Sequence, residues 1–599
     1  MSRTTESSSE KLLAHLRRYG EKHREKFVAV GLPEGLVRMC PCLCSRLWRE
    51  LDTLPLVPEY KSHTRQPDEA GDLSIFASWK RKTPDEQADS MARKCLRAFG
   101  VGHLIHNQIY ANGMVDVDKS FRIRFAEEDD YQRTVSAELW ERAKGFAEDL
   151  VERKVKIAFF SMTCQGKPDV HTRHALLRLS HILGVDMKWY VPKPRPNTLQ
   201  VIRKMEDIME GLAGTDVHLD MEDQLQILEF AYENASRYWL QENGPLRARQ
   251  QGGADVVIID SAPLLTLALL AKQHDHDRPV IFENRLHAPP DILEHITRPQ
   301  ARAWQFVQTR LQHVDTLITP LPRAFTPSIM PEERVGRIST STDQLDGLNK
   351  HLTDADLTFY GQEFNSLCRT FRTPVIKYPN EQYILSLSQL RPGDGSLVLL
   401  DAYDEFCTIC TQQSPDLPLP KLLICHHGPS RSPESDPLYD RLHTHIDTTL
   451  KKQFAAQVCV VQIGPQDQMW NTLLSNARAV VQLSVCQGIP EVLLWALQKQ
   501  RPVITTTEGG RLMALEEEEI RKNLFVVDGL DLDTIVQHLY RLFTDKGVHA
   551  QANLSRGLPD CLTTVGNAAC WFYLASQVSR GLDYRPNGED IARLARLVE

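Results

Sequence analysis

From about residue 155 onward, short apolar runs alternate with longer amphipathic stretches. Lys156-Ile-Ala-Phe-Phe-Ser, Met187-Lys-Trp-Tyr-Val, Asp255-Val-Val-Ile-Ile-Asp, Pro279-Val-Ile-Phe and Thr316-Leu-Ile-Thr read as strands. The periodicity of 172–183 and 224–240 predicts helices between them. Strands that are apolar on both faces, alternating with helices, indicate a parallel sheet covered on both sides. The alternation resumes after about 380, with Tyr383-Ile-Leu-Ser-Leu-Ser, Lys421-Leu-Leu-Ile-Cys, Val458-Cys-Val-Val-Gln-Ile, Ala479-Val-Val-Gln-Leu, Pro502-Val-Ile-Thr and Leu524-Phe-Val-Val-Asp. Between the two series, Arg372-Thr-Pro-Val-Ile-Lys-Tyr-Pro carries two prolines that restrict the backbone, as a hinge would. The pattern therefore predicts an α/β protein of two Rossmann-like lobes facing a cleft. In such sheets ligands sit beyond the carboxyl ends of the strands.

The first stretch has a different character. Ser9-Glu10-Lys11-Leu12-Leu13 with Leu16 begins an amphipathic helix. Thr83-Pro84-Asp85-Glu86 is a helix start, with Thr as cap, Pro in the first turn and acids behind it. Met91, Cys95, Leu96 and Phe99 then fall on one face. The expected organisation is a mostly helical N-terminal extension over 1–110, a first lobe over 111–375, a second lobe over 376–565 and a C-terminal helical segment over 566–599.

Composition narrows the function classes. The 599 residues are 42% apolar and 25% charged, the profile of an ordinary globular chain with large cores. A net charge of −8 argues against a dedicated nucleic-acid binder. The densest basic cluster, Arg17, Arg18, Lys22, His23, Arg24 and Lys26, reads as a solvated helix face. The longest apolar run, Ala262 to Ala271, is about half of what a bilayer requires. The first ten residues lack an apolar signal core, so no membrane partner and a cytoplasmic location are expected. Cys40, Cys42 and Cys44 alternate as in an extended segment, with no partner group at zinc spacing. Cys407 and Cys410 form a C-x-x-C that reads as helix rather than as an exposed redox turn. Neither cluster points to a metal, and no cofactor is expected.

Several strings carry a resemblance: Leu183-Gly-Val-Asp-Met-Lys-Trp-Tyr-Val-Pro-Lys-Pro-Arg-Pro, Asp343-Gln-Leu-Asp-Gly-Leu-Asn-Lys, Glu363-Phe-Asn-Ser-Leu-Cys-Arg, Leu473-Leu-Ser-Asn-Ala-Arg and Val565-Gly-Asn-Ala-Ala-Cys-Trp-Phe. They lie in family order from about 155 to 580 and resemble the fungal trehalose phosphorylases, also called clock-controlled trehalose synthase-like proteins. That family belongs to the retaining glycosyltransferases with two Rossmann lobes (GT-B type). The resemblance implies glucosyl transfer from a sugar phosphate or nucleotide sugar to a sugar acceptor. Such chemistry needs anion-binding groups, a glycine-rich turn and carboxylates that orient hydroxyls and steady oxocarbenium-like charge.

Position by position, this chain departs from the pattern. The family's paired Glu positions in the second lobe fall at Gln487 and Trp495, and Glu491 between them is the nearest surrogate. Its phosphate-binding Arg and Lys fall at Gln389 and Asp394, with Arg391 nearby. The triple-glycine loop of the first lobe appears as Gln165-Gly166-Lys167-Pro168, and the active-site His falls at Arg285, two residues from His287. Gly166, Lys167, Arg173, Arg285, Arg391, Gly488, Gly509 and Gly510 are the candidate substrate-binding residues that the resemblance implies. The alternative is a catalytically inactive relative that serves as a binding or regulatory partner, as a homodimer or with an active paralogue.

Overall fold

The computed structural model of the protein describes residues 3–57, 107–118, 123–124, 126–165, 169–214, 216–284, 298–320, 330–388, 393–427, 436–464, 466–484, 491–510, 518–545, 558–581 and 584–597, with Thr83, Asp85, Glu86, Asp89, Arg93 and Gly547. The chain divides into two compact units. The smaller comprises 1–108, 116–133 and 350–357, and the larger the remainder.

In the smaller unit, the helices Arg3–His23, Glu34–Met39 and Leu43–Leu51 accompany two short parallel strands, Ala29–Gly31 and Leu54–Leu56. Leu13, Leu32, Val37, Leu43, Leu47 and Val57 form its core. The helix start at Thr83 is present: Thr83 N donates to Glu86 Oε2 at 2.8 Å, and Glu86 N donates to Thr83 Oγ1 at 3.4 Å. The three alternating cysteines are not extended. Cys40 ends one helix and Cys44 lies inside the next, because Leu43, Leu47 and Trp48 bury one helical face. Burial pushes the Cys44 thiol up to about 12, so it packs as a small apolar group. The helical face expected at Met91, Cys95, Leu96 and Phe99 lies outside the described residues.

The larger unit holds two open sheets. The first has eight strands, in the order Val335–Ile338, Thr316–Pro320, Val280–Glu283, Val256–Ile259, Lys156–Phe160, Asp186–Tyr190, Met114–Asp116, Gln108–Ile109. Lys156–Phe160 through Val335–Ile338 run parallel, and Met114 and Val115 pair antiparallel with Tyr190 and Trp189. Val256–Ile259 is buried at every position, as a strand covered on both faces must be. Counting parallel strands from Lys156–Phe160, the order is 2-1-3-4-5-6. The direction of winding reverses between strands one and three, and that is where a crevice forms.

The second sheet has six parallel strands, in the order Val458–Ile463, Lys421–His427, Tyr383–Ser388, Ala479–Gln482, Val503–Thr506, Leu524–Val527. From its own first strand this is 3-2-1-4-5-6, with the reversal between Tyr383–Ser388 and Ala479–Gln482. Two apolar layers cover its faces, one built on Leu385, Leu423 and Val480, the other on Ile384, Ile424 and Val481. Cys407 and Cys410 lie buried in the helix Ser396–Gln413, and burial raises their thiols to about 12 and about 11. They belong to the core.

The helix Thr564–Val578 follows the second sheet in sequence but packs on the first lobe, against Ala137–Glu152. Phe146 meets Tyr573 at 5.3 Å, and Ser576 Oγ donates to Asp149 Oδ2 at 2.6 Å. Among the described residues no helix is long and apolar enough to cross a membrane.

Candidate functional site

Parallel register fixes the geometry of the first-lobe crevice. Phe160 is level with Tyr190 on one side and Ile259 on the other. The next residues, Ser161 and Asp260, therefore emerge together at the carboxyl edge of the sheet, at the winding reversal. A small open recess lies there, lined by Ser161, Met162, Thr163, Val170, Arg173, Trp189, Asp260 and Ser261.

Asp260 is the centre of a hydrogen-bonded cluster. Its Oδ2 accepts from Ser161 Oγ at 2.6 Å and its Oδ1 from Ser261 Oγ at 2.8 Å. Ser161 Oγ in turn accepts from Trp189 Nε1 at 2.9 Å. Met162 N donates to Ser261 Oγ at 3.1 Å, which ties the loops after both strands together. Arg173, buried on the helix Asp169–Ile182, lies 3.4 Å from Asp260 Oδ2 and 2.7 Å from Glu283 Oε2. Its guanidinium stacks 3.4 Å over the Phe159 ring. One cation thus bridges two carboxylates among the described residues. The cluster's chemistry is that of hydroxyl recognition: a fixed carboxylate and two oriented serines.

Behind the pocket, His174 is half-buried, and its Nε2 lies 3.1 Å from the Cys164 carbonyl. Burial, then the neighbouring His171, pushes its imidazole down to about 3. It is therefore a neutral packing group beside Trp189, at 5.5 Å. His171, one turn earlier, meets the second lobe: its ring lies 6.1 Å from Trp495 at 86°, and its Nε2 3.9 Å from Asp467 Oδ1.

Trp495 is buried in the helix Glu491–Gln498. An indole therefore fills the position where the resemblance places the second carboxylate, and it packs edge-on against the opposite lobe. Glu491 begins the same helix, one turn away, and is half-buried. Gly509 and Gly510 lie on the short helix Thr507–Gly510 and are both close-packed. A Cβ on Gly509 would collide with Thr505 Oγ1 and approach Leu493 Cδ1 to 2.8 Å; one on Gly510 would come 2.7 Å from Val526. Gly509→Ala is expected to cost ~1–3 kcal/mol by overpacking, read as a lower urea midpoint, and Thr505→Ala should recover part of it. An unchanged midpoint would remove the packing role and leave the glycine for a ligand.

The structure thus brings Arg173 into a pocket and places Trp495 between the lobes. Gly166, Lys167, Arg285, His287, Arg391, Gln487 and Gly488 lie outside the described residues. The residues that sequence reasoning passed over are Ser161, Asp260 and Ser261. A signal for them was present: an acid ends the apolar run Val256-Val-Ile-Ile-Asp260 and a serine follows it, at the strand end where ligands bind. Among the described residues no group of three or more His, Cys, Asp or Glu side chains could hold a metal ion.

Comparison with known proteins agrees with this architecture. Residues 1–105 match the family described as trehalose phosphorylase-like, N-terminal domain, and residues 161–326 match trehalose synthase, N-terminal domain. The trehalose phosphorylase of Pleurotus pulmonarius is 32% identical over 624 aligned residues, covering 97% of this chain and 84% of that protein. That of Grifola frondosa is also 32% identical, covering 98% and 84%. Among solved structures, the α,α-trehalose 6-phosphate synthase of Burkholderia multivorans superposes with a TM-score of 0.52 at 10% identity, over 71% of this chain and 98% of its own. The UDP-forming synthase of Burkholderia vietnamiensis gives 0.52 at 10%, over 72% and 100%. At that identity the structural likeness speaks for the two-lobed glycosyltransferase fold alone. With a third of its residues shared along nearly its whole length, the chain belongs to the trehalose phosphorylase family.

Proposed function

We propose that the protein takes part in retaining glucosyl transfer in trehalose metabolism, and that the first-lobe pocket holds a neutral glucose ring. The observation that carries this reading is Asp260, held by Ser161, Ser261 and Arg173 at the winding reversal of the first sheet. A carboxylate accepts hydrogen bonds from two sugar hydroxyls at once, and charge-assisted bonds of this kind contribute ~1.5–3 kcal/mol each. Serine hydroxyls that already donate to Asp260 keep acceptor lone pairs for the same ring. Trp189 and Val170 supply the apolar walls. The protein's contribution is positioning: it orients one hydroxyl of the ring toward the cleft and shields that face from water.

Membership of the family supports a sugar phosphate or nucleotide sugar as donor. A cytoplasmic setting and assembly as a homodimer or with an active paralogue are further parts of this proposal. Trp495 supports a second reading. A buried indole in place of a carboxylate favours binding without turnover.

Calorimetric titration with glucose and with trehalose, together with an assay for glucose release, tests both readings. Saturable binding that Asp260→Asn weakens about ten- to a hundredfold, matching the energy of one to two charged hydrogen bonds, supports the pocket assignment. Binding with no turnover in the presence of any phosphate or nucleotide-sugar donor selects the second reading. If neither sugar binds, the pocket assignment fails.

A further inference from the structure

The apolar layer built on Leu385, Leu423 and Val480 also holds a pair of thiols. Cys368 lies in the last turn of the helix Asp354–Thr370. Cys459 is the second residue of Val458–Ile463, the outermost strand of the second sheet. Their Sγ atoms are hydrogen-bonded at 3.6 Å, although 91 residues separate them in the chain. Both are free thiols and both are fully buried. Two sulfurs in contact from separate elements stand where a disulfide can close without rebuilding the fold.

The pair is chemically unequal. The hydrogen bond from Cys368, then one from Thr373 and the charge of Lys421, hold the Cys459 thiol below its usual value against the opposing effect of burial. The same bond, together with burial, pushes the Cys368 thiol up. The thiolate is the reactive form, so Cys459 is the nucleophile and Cys368 the thiol that resolves it. Burial slows both, but they sit in a last helical turn and an edge strand, the places where local opening costs least. The turn after the helix touches both residues: Thr373 N donates to the Cys368 carbonyl at 3.0 Å, and the Thr373 side chain bonds Cys459. Arg372 in that turn is exposed, at φ +54°. Opening of this turn admits a small oxidant.

We propose that Cys368 and Cys459 are a reversible disulfide site that responds to hydrogen peroxide. The Cys459 sulfur attacks one peroxide oxygen, the O–O bond breaks, and the departing hydroxide leaves as water with the thiol proton. Cys459 is then a sulfenic acid. The Cys368 sulfur attacks the Cys459 sulfur, the S–S bond forms, and the S–O bond breaks to release a second water that carries the Cys368 proton. Two thiols are oxidised by two electrons and one peroxide is reduced to two waters. The bond ties the end of the helix Asp354–Thr370 to the outer strand of the sheet, and in a thiol-reducing compartment it is transient. The inference goes beyond the sugar readings and depends on neither.

The test treats the full chain with hydrogen peroxide, alkylates the remaining thiols and maps the peptides by mass spectrometry without reduction. The expected result is the loss of two alkylatable thiols and a cross-linked peptide joining Cys368 and Cys459, reversed by dithiothreitol. Cys407 and Cys410, on one helix, should stay alkylatable. In Cys368→Ser the reaction should stop at the Cys459 sulfenic acid, trapped by dimedone. Mapping of the wild type decides the matter even where that variant fails to fold. Absence of the cross-linked peptide at peroxide concentrations that leave the circular dichroism unchanged overturns the proposal. So does a bond from either residue to Cys425, the third thiol of the same layer, or oxidation of Cys459 to sulfinic acid while Cys368 stays free.

Discussion

Arg173→Met is expected to destabilise the first lobe by ~3–5 kcal/mol, because it leaves two carboxylates facing each other without their shared cation. Arg173 lies 2.7 Å from Glu283 and 3.4 Å from Asp260, its side chain is only 2% exposed, and the two acids are 14% and 10% exposed. Methionine retains much of the packing over Phe159, so the loss isolates charge from volume. The urea unfolding midpoint, followed by tryptophan fluorescence, reads the effect. Adding Glu283→Gln removes one of the stranded charges and should recover a substantial part of the loss. Glucose affinity should fall in the single variant as well, since Arg173 orients Asp260. A single variant as stable as the wild type would show that water reaches the acids and that the cluster is not held as described.

Asp52→Ala is expected to cost the smaller unit ~3–5 kcal/mol, because the buried Lys350 loses its ion-pair partner while Lys26 keeps Asp356 at 2.5 Å. Lys350 Nζ lies 2.5 Å from Asp52 Oδ1, and Lys26 Nζ 3.0 Å from Asp52 Oδ2. The Lys350 ammonium also stacks 3.2 Å over the Trp48 ring. Burial pushes its pKa down to about 8 against the pull of Asp52, compared with 10.5 for a free lysine. Between those two values the unfolded chain binds more protons than the folded one. The contribution of Lys350 to stability therefore rises as pH climbs from about 8 to 10.5. Hydrogen exchange in the helix Leu43–Leu51 is the direct readout, and it should accelerate strongly in the variant. Asp52 sits at φ +45°, a conformation that asparagine also tolerates. Asp52→Asn therefore separates the charge from the backbone, and most of the loss should persist in it. Unchanged exchange in both variants would show that Lys350 finds another anion.

The strands of both lobes were legible because most are buried on two faces, and burial of that kind leaves a nearly continuous apolar run; Asp186–Tyr190, with Lys188 exposed, is interrupted. All eleven runs read as strands are strands. Elements whose stability comes from neighbours were not. Val335–Ile338 contains a glycine and an arginine and reads as nothing in particular, yet it completes the edge of the first sheet against Thr316–Pro320. Met114–Asp116 is three residues long and gains its pairing from Tyr190 and Trp189. The chemistry followed the same division. The substitutions at Asp394 and Trp495 were visible as letters. That Asp394 caps a helix, and that Trp495 meets His171, required the fold.

The sequence by itself determined the fold class, the alternation of strand and helix, and membership of the trehalose phosphorylase family, because these depend on local periodicity and on strings of residues that survive in order. Only the tertiary structure decided the order of strands in each sheet, since parallel strands join through crossovers whose direction leaves no mark in the chain. It alone set Ser161 beside Asp260, ninety-nine residues apart and hydrogen-bonded. It alone returned the helix Thr564–Val578 from the end of the second lobe to the surface of the first. Burial of an apolar face is satisfied by any complementary surface within reach, and which surface that is depends on the whole chain rather than on the segment.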